Sequence, residues 1–223
     1  MKQYMITLNK ILTAACLTFF AINSSSAQEK MPSKKVIGLI RHGESRHNIE
    51  HEFNSNPLHP NYQPSYLTKK GIEQIKAASE DLKKHGLNEK SVDMTFVSPM
   101  PRTQQSANII ATCNAISWKR FKFSDQITEV QYGDHEGQDI ELWKASKKPF
   151  LGESYESQNK RIKEFVIREV LDNNYEKIVI VSHAAIVKGI ADMLSGAKKE
   201  KPQPGSATIL TIDRIEALDR LSK

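Results

Sequence analysis

The sequence predicts an α/β fold with a mostly parallel central sheet. Short apolar runs alternate along the chain with segments of helical periodicity, which is typical of strands and helices that follow one another in a parallel sheet. The run 178–181 is apolar at every position, as expected of a strand that is covered on both faces. With 223 residues, 39% of them hydrophobic and 26% charged, the chain suits one globular domain, and its composition excludes collagen-like, low-complexity and disordered classes.

Residues 1–27 are predicted to be a secretory signal peptide. A basic start leads into an uncharged run at 11–22, and Ser25 and Ala27 supply the small residues expected before a cleavage site. This run of twelve residues is too short to span a bilayer, which needs about 20. We therefore expect residues 28–223 to be a single domain that is periplasmic or secreted and has no membrane contact after cleavage; an uncleaved anchor is the alternative. Losing two lysines lowers the formal net charge from +6 to +4.

Five apolar runs in the remaining chain are predicted to be strands. After a polar lead-in at 28–34, the first of them leads directly into a charged segment that begins at Arg41. Segment 47–66 is rich in Asn, Pro and His and shows no period, so we expect a long loop that serves function. The predicted strands are 35–40, 94–98, 121–124, 178–182 and 208–212.

Four helices are predicted between these strands. Thr68 is a good cap for a helix that Gly86 would end. Ser98-Pro99 resembles an N-cap followed by a first-turn proline, so a second helix is expected to begin there and to run to about 114. The third helix spans about 154–171 with one apolar face, and the fourth follows His183.

Three of the predicted strands end in residues that are suited to binding an anion. The first runs into Arg41 and His42, the second into a helix whose first turn holds Arg102, and the fourth into His183. Because the carboxyl ends of parallel strands share one edge of a sheet, these four side chains should meet there. Such a cluster repels itself unless it binds an anion, and the planar fork of arginine suits a tetrahedral oxyanion. We therefore expect a phosphate site, where a neutral imidazole could be the nucleophile of phosphoryl transfer.

Six blocks of sequence, in order along roughly 35–213, share their residues with one known family. They are 39–45 with Asn48; Leu67-Thr68 with Gly71 and Gln74; Ser98-Pro99 with Arg102-Thr103 and 105–107; 127–129 with Gly133, Glu136 and Gly137; 152–154 with Arg161; and 181–183. By these motifs the chain resembles an exported, bacterial-type member of the histidine phosphatase superfamily, in its phosphoglycerate mutase-like branch. The resemblance implies a three-layer α/β/α sandwich with a mostly parallel central sheet.

The resemblance also implies a role for six residues. His42 would be the nucleophile that forms a phosphohistidine, and Glu129 would protonate the leaving group and then activate water. The residues that would hold the phosphoryl oxygens are Arg41, Asn48, Arg102 and His183, and His183 would also be catalytic. No cofactor and no metal ion are expected, because the Arg and His side chains neutralise the phosphate themselves. The implied activity is that of a metal-independent phosphoric monoester hydrolase.

Two functions other than hydrolysis stay open as alternatives. Ala184-Ala185 follow His183 where the family often has two glycines, so a pseudoenzyme that only binds phosphate esters is one alternative. A phosphoglycerate mutase-like phosphotransferase is the other. The interval of 54 positions from Glu129 to His183 is too short for the long insertion of the true mutases, and it favours hydrolysis.

Other features of the sequence have simpler explanations. His47 and His51 could suggest a metal site, but no matched ligand set follows, and a substrate loop fits better. The basic and aromatic segment 118–122 is better explained as a solvated strand than as a nucleic-acid site, and Lys198, Lys199 and Lys201 as a solvated loop. The expected partner is a phosphorylated small molecule, with a phosphoprotein as the alternative, and the oligomeric state is left open.

Overall fold

The computed structural model describes residues 31–223 and contains a five-stranded sheet. Its strands are β1 (Lys34–Arg41), β2 (Met94–Val97), β3 (Phe121–Phe123), β4 (Lys177–Ser182) and β5 (Ala207–Asp213). Their order across the sheet is β3-β2-β4-β1-β5, and every neighbouring pair is parallel except β1 and β5, which are antiparallel. All five predicted strands are therefore confirmed, and so is the mostly parallel sheet.

Helices cover both faces of this sheet. The helices are α1 (Arg46–Glu50), α2 (Lys69–Lys84), α3 (Pro101–Cys113), α4 (Ile140–Ser146), α5 (Tyr155–Phe165), α6 (Ala184–Ser195) and α7 (Arg214–Ser222), and α5 continues as a π-helix at Val166–Leu171. One apolar cluster joins α5, α6 and α7 to one face of the sheet, and a second joins α2 and α3 to the other. The predicted three-layer α/β/α sandwich is thus confirmed.

The predicted start of the second helix is wrong by two residues. Helix α3 has Met100 as its N-cap and Pro101, not Pro99, in its first turn. The hydroxyl of Ser98 does not cap the helix, because it lies 2.8 Å from Nε2 of His183. Segment 47–66 is mostly loop, as predicted, but its first residues belong to the short helix α1. Helices α4 and α7 were not predicted.

The register of the strands brings the predicted site residues to one edge of the sheet. Arg41 at the end of β1 pairs with Ser182 at the end of β4, and Val97 at the end of β2 pairs with Val181. The backbone N–H of His42 donates to the carbonyl of Ser182 over 2.9 Å, so the parallel alignment extends one residue past the strand. The segments that follow three strands therefore start side by side.

The predicted signal peptide at 1–27 lies outside the described residues, and it stays a prediction together with the periplasmic or secreted location. Within 31–223, none of the helices combines the length and the apolar character that crossing a bilayer requires.

Candidate active site

His42 follows β1 and is held as a neutral imidazole. Its Nδ1 lies 2.8 Å from the carbonyl oxygen of Gly43, which can only accept a hydrogen bond, so Nδ1 carries the proton. The other ring nitrogen, Nε2, accepts a hydrogen bond from Nε of Arg102 over 3.2 Å. Burial and then the nearby charge of Arg102 hold the pKa of His42 well below its usual range. Nε2 therefore keeps a lone pair at neutral pH, as a nucleophile requires.

Arg102, in the first turn of α3, is fully buried beside His42. Its Nη1 donates to Oδ1 of Asn54 over 2.8 Å and its Nη2 to the carbonyl of Asn54 over 2.9 Å. The next residue, Ser55, donates from its backbone N–H and its hydroxyl to the buried carboxylate of Glu136 at 2.7–3.0 Å. Glu136 thus holds the loop of Asn54 and Ser55 in place, and this loop in turn holds the guanidinium of Arg102. Neither Asn54 nor Ser55 was predicted for the site.

His183 and Glu129 face each other across the buried part of the site. Oε2 of Glu129 lies 3.5 Å from Nδ1 of His183 and 3.8 Å from Nη2 of Arg102. On its other side, Nε2 of His183 is 2.8 Å from the hydroxyl of Ser98, whose proton it can accept. Nδ1 of His183 is buried and has no hydrogen-bond partner among residues 31–223. Nδ1 of His183 is therefore a hydrogen-bond donor that is still available, and it lies beside the side chain of Glu129.

The backbone that carries Glu129 is itself tied down. Nη1 of Arg161 donates to the carbonyl of Thr128 over 3.0 Å, and Nη2 donates to that of Glu129 over 3.3 Å. The same guanidinium forms an ion pair with Glu153 at 2.6 Å. Arg161 and Glu153, which belong to one of the sequence blocks named above, therefore support the site without reaching it.

A polar cleft of about 190 Å³ opens beside these buried groups. Arg41, Asn48 and Glu129 line it, together with Ala184 and Ala185 from the start of α6. Nε of Arg41 is buried and has no partner among the described residues, and burial lowers the pKa of this guanidinium. The structure thus brings all six predicted site residues together: three in the wall of the cleft, and His42, Arg102 and His183 buried next to it.

Asn48 has a structural role in addition to its place in the cleft. Its Oδ1 accepts from the backbone N–H and the hydroxyl of Ser45 at 3.1 and 3.0 Å, which closes the first turn of α1. Its Nδ2 lies 3.0 Å from Nε2 of His47. One N–H of the amide is thereby used, and the other is free for a ligand in the cleft.

His47 and His51, whose spacing could suggest a metal site, lie in different surroundings. His47 is buried, its Nδ1 contacts the hydroxyls of Ser45 and Ser65 at 2.9 and 3.1 Å, and burial lowers its pKa to about 2. His51 is exposed at the end of α1. Within 31–223, the side chains that could surround a cation are His42, Glu129 and His183, whose donor atoms lie within 4.8 Å of one another.

Lys201 is exposed in a loop, as predicted, and it also lines the cleft. Like Asn54, it comes from a loop that shows no sequence period. Ser98 had a visible signal, because it directly follows a strand that ends at the site, but its hydroxyl was assigned to a helix cap. The clearest sequence signals are therefore the strand ends, and Asn54 and Ser55, which come from an aperiodic loop, were missed.

The sequence matches a known family and known proteins over most of its length. Residues 37–217 match the family model described as histidine phosphatase superfamily (branch 1). The adenosylcobalamin/alpha-ribazole phosphatase of Escherichia coli (strain K12) is 26% identical over 176 residues, which are 73% of this chain and 80% of that protein. A 2,3-bisphosphoglycerate-dependent phosphoglycerate mutase of Bradyrhizobium sp. (strain ORS 278) is 24% identical, over 73% of this chain and 82% of that one.

The fold is likewise similar to a solved structure. The crystal structure of phosphoglycerate mutase from Bacillus anthracis str. Sterne superposes with a TM-score of 0.63 over 88% of this chain and 100% of that chain. At 17% identity, this similarity concerns the fold alone.

Proposed function

The chain belongs to the histidine phosphatase superfamily, and from this we propose that it hydrolyses a phosphate monoester through a phosphohistidine on His42. The observation that carries the proposal is the state of His42: a neutral, buried imidazole whose Nε2 lone pair lies against the guanidinium of Arg102. Two arginines gathered at one point favour a bound anion, and a phosphate would supply it.

In the first step, the lone pair on Nε2 of His42 attacks phosphorus as the bond to the ester oxygen breaks. Arg41, Arg102, Asn48 and the free Nδ1 position of His183 hold the phosphoryl oxygens. The carboxyl group of Glu129 gives its proton to the leaving oxygen, so that an alcohol departs. The product of this step is a phosphohistidine and a carboxylate on Glu129.

In the second step, Glu129 takes a proton from a water molecule, and the resulting oxygen attacks phosphorus. The bond between phosphorus and Nε2 breaks, its electron pair returns to the imidazole, and inorganic phosphate leaves. Both Glu129 and His42 recover their starting states. No metal ion takes part in either step.

The proposal is tested with purified protein and a generic aryl phosphate in EDTA. We expect turnover, and we expect His42→Ala to abolish it, whereas His85→Ala, a change at an exposed histidine at the end of α2, should leave it intact. Rapid quenching with labelled substrate should trap an acid-labile phosphoenzyme in the wild type only. Activity that survives His42→Ala, or that requires a divalent cation, would contradict the mechanism.

Two observations favour specific alternatives. One of the relatives is named a phosphoglycerate mutase, so the phosphoryl group could return to a second hydroxyl instead of to water. Isomerised product in excess of free phosphate would establish that activity. The side chains of Ala184 and Ala185 narrow the cleft, so the protein could also be a binding module. Tight binding of phosphate esters without turnover would establish that role.

A further inference from the structure

We propose that His47 is a positioning residue of the active site, which holds the amide of Asn48 so that one of its N–H groups faces the cleft. The inference rests on the proposed function, because it assigns to His47 the task of preparing Asn48 for a phosphoryl oxygen. His47 acts through Asn48, and it need not touch the substrate itself.

Three side chains at the start of α1 form a closed ring of hydrogen bonds. Nδ1 of His47 lies 2.9 Å from the hydroxyl of Ser45, and this hydroxyl lies 3.0 Å from Oδ1 of Asn48. Nδ2 of Asn48 lies 3.0 Å from Nε2 of His47, which closes the ring. Ser45 and His47 are buried, so the polar groups of the ring depend on one another for their partners.

The direction of every hydrogen bond in the ring follows from one backbone group. The N–H of Ser45 can only donate, and it lies 3.1 Å from Oδ1 of Asn48, so this atom is the amide oxygen. Nδ2 is then the amide nitrogen, and it donates to Nε2 of His47. Because Nε2 accepts, the proton of the neutral imidazole is on Nδ1, which donates to the hydroxyl of Ser45. The proton of that hydroxyl goes to Oδ1 of Asn48.

This arrangement leaves one N–H of Asn48 for the cleft. Oδ1 accepts two hydrogen bonds, which occupies both of its lone pairs, and one N–H of Nδ2 is bound to His47. Asn48 lines the cleft, so the remaining N–H is the group that it can offer to a phosphoryl oxygen. If the amide were turned over, Nδ2 would meet the N–H of Ser45, and Oδ1 would meet the lone pair of Nε2. His47 and Ser45 together therefore fix the orientation of the amide.

His47 can accept from Asn48 only as a neutral imidazole. Burial lowers its pKa to about 2, and the charges of Arg102, Arg41 and Arg46 act in the same direction. A proton on Nε2 would face the N–H of Asn48, donor against donor. The arginines near the cleft thus help to preserve the acceptor that orients the amide.

Two substitutions of His47 separate its acceptor from its donor. His47→Gln places an oxygen at the distance of Nε2 and keeps an acceptor for Asn48, whereas His47→Asn ends at the distance of Nδ1 and does not reach it. Both substitutions remove the ring contact with His42, whose ring centre is 5.7 Å away, so they differ chiefly in the bond to Asn48.

The measurements are the affinity for inorganic phosphate, by calorimetry, and kcat/KM for the aryl phosphate. We expect His47→Asn to lower both about tenfold, because a hydrogen bond to a charged group is worth about that factor. His47→Gln should keep both within about threefold of the wild type. Equal losses in the two variants would overturn the proposal.

A double-mutant cycle with Asn48 distinguishes positioning from a general loss of packing. Asn48→Ala alone should weaken phosphate binding about tenfold, and adding His47→Asn should weaken it no further, because no amide is left to orient. Additive losses would show that His47 acts independently of Asn48, and the proposal would be wrong. If His47→Asn does not fold, His47→Phe takes its place in the cycle, because it keeps a ring and lacks the acceptor.

His85→Asn is the matched control, since it makes the same exchange at an exposed histidine at the end of α2. It should change neither phosphate binding nor kcat/KM.

The outcomes separate this proposal from the proposed function. Turnover by a protein whose phosphate affinity and kcat/KM are unchanged in His47→Asn would overturn the role of His47 and leave hydrolysis standing. Phosphate binding that depends jointly on His47 and Asn48, in a protein without turnover, would support the role of His47 and overturn hydrolysis.

Discussion

The hydroxyl of Ser98 determines how the imidazole of His183 is presented to the cleft. It binds Nε2 at 2.8 Å and leaves Nδ1 3.5 Å from Glu129. We expect Ser98→Ala to lower kcat about ten- to a hundredfold, because a shift of about 1 Å in the position of a catalytic side chain can reduce the rate by about that factor. KM and the melting temperature should change little, since a buried hydroxyl contributes about 1 kcal/mol. Steady-state kinetics and thermal unfolding check both statements.

Ser79→Ala is the control for this prediction. Ser79 is fully buried in α2 and its hydroxyl donates to the carbonyl of Ile75, far along the chain from any site residue. Its loss should leave kcat unchanged. A Ser98→Ala protein with the kcat of the wild type would show that His183 does not depend on this bond.

Single residues of the site could be predicted where they directly follow a strand. His42 and His183 each follow a parallel strand, and the geometry of a parallel sheet alone brings such positions together. Asn54 could not be predicted in this way, because its contact with Arg102 depends on how an aperiodic loop folds back over α3. The same holds for Lys201, whose position follows from hydrogen bonds that only the folded chain contains.

Helix α2 packs against the loop that follows His42 so closely that only glycine fits at the contact. A Cβ on Gly71 would lie 2.0 Å from the carbonyl oxygen of Glu44, and one on Gly43 would lie 2.3 Å from that of Gly71. Backbone atoms yield only at high cost, so we expect Gly71→Ala to lower the free energy of unfolding by about 1–3 kcal/mol. The value of kcat/KM should fall too, since the displaced loop carries the carbonyl that orients His42. Urea unfolding and kinetics measure the two effects.

Gly189→Ala provides the comparison within another helix. A Cβ there would lie 3.1 Å from the end of the Ile162 side chain, which can move aside. Alanine also favours a helix over glycine by about 1 kcal/mol, so stability should be nearly unchanged or slightly higher. Equal effects of the two substitutions would mean that the contact at Gly71 is not special.

Elements with a strong apolar pattern were predicted well, and elements defined by contacts were not. The strands were visible as apolar runs. The helix predicted at about 154–171, which is α5 with its π-helical continuation, was visible as an apolar face, and the structure buries this face at Ile162 and Phe165. The start of α3 was misplaced because a serine before a proline can cap a helix or bind another side chain, and here His183 takes it. Helix α4 has no buried residue, so it lacks the apolar stripe by which a helix is recognised.

The pH dependence of the whole molecule's stability contains a contribution from Lys35. Its ammonium group is fully buried at the start of β1, where it donates to the carbonyls of Asn173 and Tyr175, and burial lowers its pKa to about 8. The unfolded chain has the usual value near 10.5, so between these values it binds more protons than the native state does. The free energy of unfolding should therefore rise, relative to that of Lys35→Met, by roughly 2 kcal/mol from pH 8 to pH 10.

Denaturant unfolding of the wild type and of Lys35→Met at several pH values measures this difference. Lys34→Met is the control, because Lys34 is the neighbouring residue of β1 and is exposed. Its difference from the wild type should stay constant over the same range. A constant difference for Lys35→Met as well would show that the buried amine has an ordinary pKa in the folded protein.

The backbone of His42 is held on both sides by chain that is synthesised much later. Its N–H bonds to the carbonyl of Ser182, and its carbonyl accepts from Gly205. A ribosome must therefore translate most of the message before His42 can reach its final position. A nascent chain that has Arg41 and His42 but lacks these partners therefore does not yet contain the assembled site.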